Sequence, residues 1–427
     1  MRSSSIVLAA LAGLASSQQT NETWVDTGDT LRLSTDTTFH FQLLNLLGMA
    51  TYRGADVAEV LGAAQVIVPG NFSSYNNTFA ELATRKQAQA SVAKNKVNAR
   101  DTFFQAAAYW RDADFFNHGN QSDPIIDEYW TNQLECFTAA NSALPVPGEY
   151  VTIPTASNFS AIGIFYAADS DTSTEKPTLL VGNGYDASQE DSYHSSCVAA
   201  LERGWNCMTY EGPGQPTVRR QQKIGFISEW EKVVTPVVDY LANRTDVDMD
   251  RLALSGISFG GYLAARAAAF EPRIKALLLN PGVVTVQDGF LGQLPSQFQD
   301  LFHSGNKSAF DAIVLAIVSN SSMPSSLRWG IEHGLWAFDT ESPSEFLVTT
   351  GAMNMTGLFD RLTMPIWLAN GTRDDVLSQS LDFVEQVGNT TNVTLVTFDG
   401  PEGYHCQPGA ASSTNREMFE WLETVFE

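Results

Sequence analysis

From residue 148 onward, short apolar segments alternate with amphipathic ones. The apolar segments predict eight β-strands, at residues 149–154, 160–166, 177–182, 206–211, 251–255, 274–280, 365–369 and 394–398. The first two are expected to form a hairpin, and most later ones are continuous apolar runs, typical of a parallel sheet covered on both faces. Helical patterns fill the gaps, for example at residues 192–203 and 227–243. The pattern therefore predicts an α/β fold with a mostly parallel eight-stranded sheet.

Two further stretches have a helical pattern and lie outside this alternation. One covers residues from about 30 to 141, and the other, at residues 285–359, interrupts the sheet between its sixth and seventh strands. Both are rich in aromatic residues, which we interpret first as packing residues. The predicted organisation is a signal peptide at 1–17, an N-terminal helical lid domain at 18–147, and an α/β core at 148–427 that carries a helical cap insertion at 285–359.

A single serine lies where the fifth predicted strand turns into a helix. The segment "GISFG" places glycine two residues before and two residues after Ser258. This is the G-x-S-x-G nucleophile elbow, in which a sharp strand-to-helix turn exposes the serine Oγ. The alternative is a turn of small residues in which Ser258 only caps the helix.

A serine nucleophile needs a base and an acid, which follow it along the chain in α/β-hydrolases. Of the six histidines, only His405, in "PEGYHCQPG", follows the last predicted strand. The loop after the seventh strand offers Asp374 and Asp375. We predict Asp374 as the acid because it completes a G-x-x-D spacing from Gly371, with Asp375 as the fallback.

The oxyanion of such a reaction needs backbone N–H donors. We predict the N–H of Phe259, the residue after the serine, and the N–H of Tyr185 in "VGNGYDASQE", the loop after the third strand. The alternative for this loop is that Gly182 and Gly184 merely form a turn. Together, the lid and the cap are expected to close an aromatic-lined pocket above Ser258.

The charge balance limits the classes of partner. The chain has 48 acidic and 25 basic residues, a formal charge of −23. Such a surface repels phosphate backbones and anionic membranes, so we expect neither nucleic acid nor a membrane as a partner.

The N-terminus and the sequons indicate secretion. Arg2, an apolar core at residues 6–14, and the small residues Ala15 and Ser17 form a signal-peptide pattern. N-x-[ST] sequons are more frequent than chance predicts, at Asn21, Asn71, Asn76, Asn120, Asn158, Asn243, Asn306, Asn320, Asn354, Asn370, Asn389 and Asn392. The predicted localisation is therefore the secretory pathway, with N-glycosylation.

The four cysteines allow two disulfides in a secreted chain. Cys197 and Cys207 lie close in sequence, which would leave Cys136 to pair with Cys406. Four buried free thiols are the alternative, because a core of this size does not need disulfides.

Motifs for metals and cofactors are missing from the sequence. There is no H-E-x-x-H, no Walker A motif and no G-x-G-x-x-G before a helix. The segment "DVDMDR" begins like a calcium loop but has Arg251 where glycine belongs. We therefore expect no metal and no organic cofactor.

Several segments besides Ser258, Asp374 and His405 resemble a known group of enzymes. They are "NGYDAS", "EGPGQ", "GISFGGYLAARAAAFEPRI", "AAAYWRDADFFNHG" and the pair His405-Cys406. The chain resembles α/β-hydrolases with an N-terminal helical domain, a group that includes 2,6-dihydropseudooxynicotine hydrolase and the fungal pigment hydrolases that shorten polyketide chains. The resemblance implies a serine hydrolase that cleaves a C–C bond beside a ketone in a small 1,3-diketone-like or polyketide substrate.

The same triad can cleave an ester, so a carboxylesterase stays open, as does an acyltransferase. "GISFGGYLAA" also resembles the elbow of prolyl-oligopeptidase-type enzymes, so a secreted serine peptidase is an alternative, although no repeats precede the core. A catalytically inactive binding module is the non-enzyme alternative. A homodimer is compatible with the sequence.

Overall fold

The computed structural model describes residues 30–427, and an eight-stranded sheet forms the centre of this part of the chain. The strands are β1 Glu149–Pro154, β2 Ser160–Tyr166, β3 Lys176–Gly182, β4 Asn206–Glu211, β5 Val247–Ile257, β6 Ala276–Asn280, β7 Ile366–Gly371 and β8 Val393–Phe398. They lie in the order β1-β2-β4-β3-β5-β6-β7-β8. β2 is antiparallel to both of its neighbours, and all other neighbouring strands are parallel.

Each buried strand contributes to two hydrophobic cores, because its side chains alternate between the faces of the sheet. In β5, Leu252 and Leu254 belong to one core, and Ala253 belongs to the other. All three side chains are fully buried. This two-sided burial explains why the strands are continuous apolar runs in the sequence.

Five helices precede β1 in the described chain. They are α1 Thr37–Met49, α2 Val57–Val66, α3 Phe72–Val92, α4 Lys96–Asp114 and α5 Ile125–Ser142. The first is capped by Asp36, whose carboxylate accepts the backbone N–H of Phe39 at 3.0 Å. Phe104 of α4 and Phe137 of α5 belong to the same core as Ala253, so these helices share one hydrophobic core with one face of the sheet.

Helices also connect the strands and close the fold. They are α6 Gln189–Ser192, α7 Val198–Glu202, α8 Pro216–Gln222, α9 Glu231–Ala242, α10 Gly260–Ala268, α11 Val286–Leu291, α12 Ser296–His303, α13 Lys307–Val318, α14 Ser325–Ala337, α15 Pro343–Gly351, α16 Ser380–Val387 and α17 Ala411–Phe426. A π-helical turn, Tyr193–Cys197, joins α6 to α7. The segment from α11 to α15 lies between β6 and β7, and its ends meet where Thr285 pairs with Asn354.

The predicted fold class is confirmed, and most strand boundaries agree within two residues. The largest difference is β5, which begins four residues earlier than predicted because the polar segment before Arg251 pairs with the start of β3, where Lys176 is opposite Val247. Helix α9 begins four residues later than its pattern suggested, directly after the buried Trp230.

The prediction for the cysteines is right for one pair only. Cys197 and Cys207 form a disulfide, whereas Cys136 and Cys406 are free. Cys136 is buried in the core shared with the N-terminal helices, and the Cys406 thiol donates to the carbonyl of Asn280, 3.2 Å away, at the end of β6. A disulfide forms only between cysteines whose Cα atoms lie within about 7 Å of each other. Cys136 and Cys406 lie in different surroundings and remain free thiols.

The predicted signal peptide and Asn21 lie outside the described residues. Of the sequons in residues 30–427, Asn71, Asn120, Asn158, Asn243, Asn306, Asn389 and Asn392 are exposed. Asn76 is only 4% exposed, and its amide donates to Asn117 at 2.6 Å, so it is not accessible as an acceptor in the folded protein. No helix between residues 30 and 427 is both long and apolar enough to cross a membrane.

Candidate active site

Ser258 lies at the sharp turn between β5 and α10. Its φ angle is +59°, a left-handed conformation that L-residues rarely adopt. The turn is tight: a Cβ atom at Gly256 would lie 2.1 Å from the carbonyl oxygen of Gly260. The serine backbone is fixed by its N–H, which donates to the carbonyl of Asn280 at 2.6 Å. This is the geometry of a nucleophile elbow, and it leaves Ser258 partly exposed.

Three predicted side chains meet beyond the carboxyl ends of the strands. Ser258 Oγ lies 2.8 Å from His405 Nε2, and His405 Nδ1 lies 2.8 Å from Asp374 Oδ2. The side chains of His405 and Asp374 are 7% and 2% exposed. Asp375, the fallback from the sequence, is exposed.

The hydrogen bonds define the protonation states that suit this arrangement. A carboxylate can only accept, so His405 donates Nδ1–H to Asp374 and keeps the Nε2 lone pair for the hydroxyl proton of Ser258. Burial raises the pKa of Asp374. The charge and hydrogen bond of His405, together with the backbone N–H groups of Val376 and Leu377, lower that pKa by more than burial raises it. The pKa of Asp374 therefore lies below its ordinary value. Asp374 is therefore ionised at neutral pH.

His405 is held in surroundings that favour its charged form. Burial opposes the imidazolium, yet Cys406 and Asp374, through charge and hydrogen bonds, raise the pKa of His405 well above its ordinary value. A proton that moves from Ser258 to His405 is thereby stabilised.

The loop after β3 lies directly against the elbow. A Cβ atom at Gly184 would lie 2.7 Å from the backbone nitrogen of Phe259 and 3.0 Å from Ser258 Cβ. Only glycine allows this approach, and the next residue is Tyr185. In the described chain, no acceptor is bonded to the N–H of Phe259 or to the N–H of Tyr185. The two predicted donors thus flank the serine turn without other partners.

The side chain of Tyr185 is anchored in the insertion between β6 and β7. It is 6% exposed, and its hydroxyl donates to the carbonyl of Gly330 at 2.6 Å. Its ring packs against Phe290, with 5.1 Å between ring centres, and against the edge of Trp329 at 6.0 Å. Three contacts from one insertion thus fix the position of this loop residue.

A chain of hydrogen bonds also reaches the Tyr185 backbone. Arg220 Nη2 lies 3.3 Å from His118 Nε2, His118 Nδ1 lies 3.1 Å from His333 Nδ1, and His333 Nε2 lies 3.0 Å from the carbonyl oxygen of Tyr185. Arginine can only donate and a carbonyl can only accept, so one set of tautomers satisfies the chain when both histidines are neutral. Burial lowers the pKa of His333 to about 3 and that of His118 well below its ordinary value.

The N-terminal helices hold the next residue of the same loop. Arg111 of α4 donates to the carbonyl of Asp186 at 3.2 Å and pairs with the carboxylate of Asp191 at 3.0 Å. Both Arg111 and Asp191 are buried, so this ion pair lies in a low-dielectric environment. Thus α4 and the insertion fix adjacent carbonyls of one loop.

Both helical additions reach the site and contact each other. The ring of Phe41, from α1, lies 6.4 Å from that of His405. Trp329 stacks on Phe115 at 4.8 Å, and Ser325 donates to Asp36 at 2.5 Å. Since Ser258 itself is only partly buried, the expectation of a fully closed pocket stays a prediction.

Two residues that the sequence did not single out connect the elements of the site. The Asn280 carbonyl accepts the N–H of Ser258, while its amide donates to Gln407 at 2.7 Å, two residues after His405. Gln215, in the "EGPGQ" segment, contacts the loop before Tyr185. Asn280 is the polar last residue of the otherwise apolar strand β6. This position could have indicated a role for it, because ligands in open α/β sheets bind at the carboxyl ends of the strands.

No group of three or more His, Cys, Asp or Glu side chains within residues 30–427 is arranged to hold a metal ion.

The fold and this site define the protein as an α/β-hydrolase enzyme. The chain belongs to the FrsA-like esterase family, whose model matches residues 64–308. A prolyl oligopeptidase family model also matches residues 234–427, a segment that contains Ser258, Asp374 and His405.

The chain is similar in sequence to fungal hydrolases. The chain is 28% identical over 408 residues to the 20-hydroxy-prefusarin hydrolase of Gibberella moniliformis, covering 91% of this chain and 96% of that protein. It is 29% identical over 422 residues to an alpha/beta hydrolase, psoB, of Aspergillus fumigatus, covering 91% and 93%.

Among solved structures, that of 2,6-dihydroxy-pseudo-oxynicotine hydrolase matches with a TM-score of 0.66 at 19% identity, covering 89% of this chain and 95% of that one. At this identity the match supports the shared fold. The resemblance inferred from the sequence motifs is confirmed.

Proposed function

We propose that the protein is a secreted serine hydrolase that cleaves a small carbonyl compound of fungal secondary metabolism through a covalent acyl-enzyme. The observation that carries the proposal is the continuous pair of 2.8 Å hydrogen bonds from Ser258 through His405 to Asp374. The names of the fungal relatives support the substrate class, since one of them acts on 20-hydroxy-prefusarin.

In the proposed first step, His405 Nε2 removes the hydroxyl proton of Ser258 while Oγ attacks the substrate carbonyl carbon. Asp374 holds the imidazole in the required tautomer and stabilises the imidazolium that forms. The carbonyl oxygen becomes an oxyanion, which accepts hydrogen bonds from the N–H groups of Phe259 and Tyr185.

Collapse of this intermediate breaks one bond of the former carbonyl carbon. In a 1,3-diketone-like substrate the C–C bond breaks, the electron pair leaves as an enolate, and His405 returns the proton to it. In an ester the C–O bond breaks instead, and the proton goes to the alcohol oxygen. Water activated by His405 then attacks the acyl-enzyme, releasing a carboxylic acid and restoring Ser258.

C–C cleavage is what the resemblance in the sequence motifs implies, and ester cleavage is favoured by the description of the family model. A panel of aryl 1,3-diketones, p-nitrophenyl esters and aminoacyl amides, assayed with wild type and Ser258→Ala, distinguishes the candidates. Hydrolysis of the diketones that requires Ser258 supports the proposal. Hydrolysis of the amides alone would instead identify a peptidase.

A further inference from the structure

Gln215 is a fully buried side chain that contacts the loop carrying Tyr185. It precedes helix α8 and has no exposed surface. Its Nε2 donates to the carbonyl of Asn183 at 2.7 Å and lies 3.3 Å from the carbonyl of Gly184. Its Oε1 accepts the N–H of Gly212 at 2.9 Å, so the orientation of the amide is determined by its partners.

The contact with Gly184 also fixes a neighbouring N–H. The Gly184 carbonyl and the Tyr185 N–H belong to one peptide group, which is trans. In a trans peptide the C=O and N–H bonds point in opposite directions. Because Gln215 holds the carbonyl, the N–H of Tyr185 is directed away from Gln215.

The elbow lies beside this same peptide. Gly184 approaches so closely that a Cβ atom there would lie 2.7 Å from the backbone nitrogen of Phe259. Phe259 N–H and Tyr185 N–H therefore belong to two backbone segments in contact. A rotation of the Gly184–Tyr185 peptide would remove one of the two donors without moving Ser258.

We propose that Gln215 is a positioning residue, which orients the Gly184–Tyr185 peptide so that its N–H stabilises the oxyanion formed on Ser258. The inference rests on the proposed function, because it requires an oxyanion at this site. Gln215 is fully buried, and in this proposal it acts on the transition state through the peptide that it holds.

The first test replaces Gln215 by methionine, which has a similar shape but no donor. We expect kcat on a substrate cleaved by wild type to fall about 10- to 100-fold with KM changed less than about threefold, since an oxyanion donor acts on the transition state. The Ki of a trifluoromethyl ketone, which forms a hemiketal oxyanion with a reactive serine, should rise in parallel.

Gln222 provides the matched control. It lies at the end of the same helix, its Nε2 donates to the carbonyl of Ser160 at 2.8 Å, and its Oε1 accepts the N–H of Ser160 at 2.9 Å. Gln222→Met therefore removes the same kind of contact at a different place in the sheet, and we expect kcat and Ki to stay near wild type.

A second variant, Gln215→Glu, keeps the shape and the acceptor for Gly212 and gives a signature that a packing role would not produce. The carboxylate repels the carbonyls of Asn183 and Gly184, whereas the protonated carboxyl donates to them. Burial favours the protonated form, so the ratio of its kcat to that of wild type should rise as pH falls.

A folded Gln215→Met enzyme with kcat within threefold of wild type would overturn the inference. So would equal losses in Gln215→Met and Gln222→Met, or a Gln215→Glu ratio that is independent of pH. The proposed function fails separately, when Ser258→Ala retains the activity that is being measured.

Discussion

The imidazole Nε2 of His333 lies 3.0 Å from the carbonyl oxygen of Tyr185, although 148 residues separate them in the chain. The contact joins helix α14 of the insertion to the loop that is proposed to stabilise the oxyanion. Both residues are buried, so water does not reach either group and each depends on the other as its hydrogen-bond partner. Helix α14 of the insertion thus holds the backbone of the loop at Tyr185.

The variant His333→Phe is expected to lose stability and turnover together. It keeps a ring in the cavity but leaves the Tyr185 carbonyl and the His118 N–H without their partner, which costs about 1–3 kcal/mol of unfolding free energy for each buried polar group. Urea denaturation measures the first effect, and kcat the second. His303→Phe, on the exposed side of the insertion, is the control and should match wild type. Unchanged stability and kcat in His333→Phe would remove this role.

Asp374→Asn should reduce kcat by on the order of 10³ or more, because the carboxylate orients His405 and stabilises its charged form. Asp375→Asn is a matched control, since Asp375 is the next residue and is exposed. Steady-state kinetics of the two variants give the comparison. If Asp375→Asn causes the larger loss, the orienting role belongs to Asp375.

Activity should rise with pH through the pKa of His405, because only the neutral imidazole can accept the Ser258 proton. That pKa is raised well above the ordinary value of 6.5, so the acidic limb of kcat/KM should have its midpoint above 6.5. The ionisable side chains that face His405 are Asp374, Cys406 and Asp186. Cys406→Ala should shift the midpoint to lower pH, because Cys406 favours the imidazolium. A wild-type midpoint below 6.5 would contradict the assignment.

The sequence predicts the sheet well because its strands are buried on both faces and therefore appear as apolar runs. The local glycines predict Ser258 as the nucleophile, and the position after the last strand predicts His405 as the base. Contacts such as that of His333 with Tyr185 could not be predicted in this way, because no local pattern indicates which distant residues meet. The prediction that Cys136 pairs with Cys406 is wrong for the same reason. These two cysteines are paired in it only because they remain after Cys197 and Cys207, and that gives no information about the distance between them.

Glycosylation in a secretory host should follow exposure rather than the presence of a sequon. Glycopeptide mapping is expected to find glycans among the exposed sites, such as Asn120 and Asn243, and none at Asn76, which is 4% exposed. A glycan at Asn76 would mean that the chain is modified before α3 packs. A protein without glycans that retains Met1 would contradict the proposed secretion.

The most direct test of the proposed mechanism is to identify the residue that becomes covalently modified. Wild type, Ser258→Ala and His405→Ala are treated with a fluorophosphonate, and the labelled peptide is sequenced by mass spectrometry. The account predicts one adduct on Ser258 of the wild type, none in Ser258→Ala, and labelling slowed by on the order of 10³ or more in His405→Ala, which lacks the base. Labelling of another residue, or turnover by folded Ser258→Ala within tenfold of wild type, would contradict it.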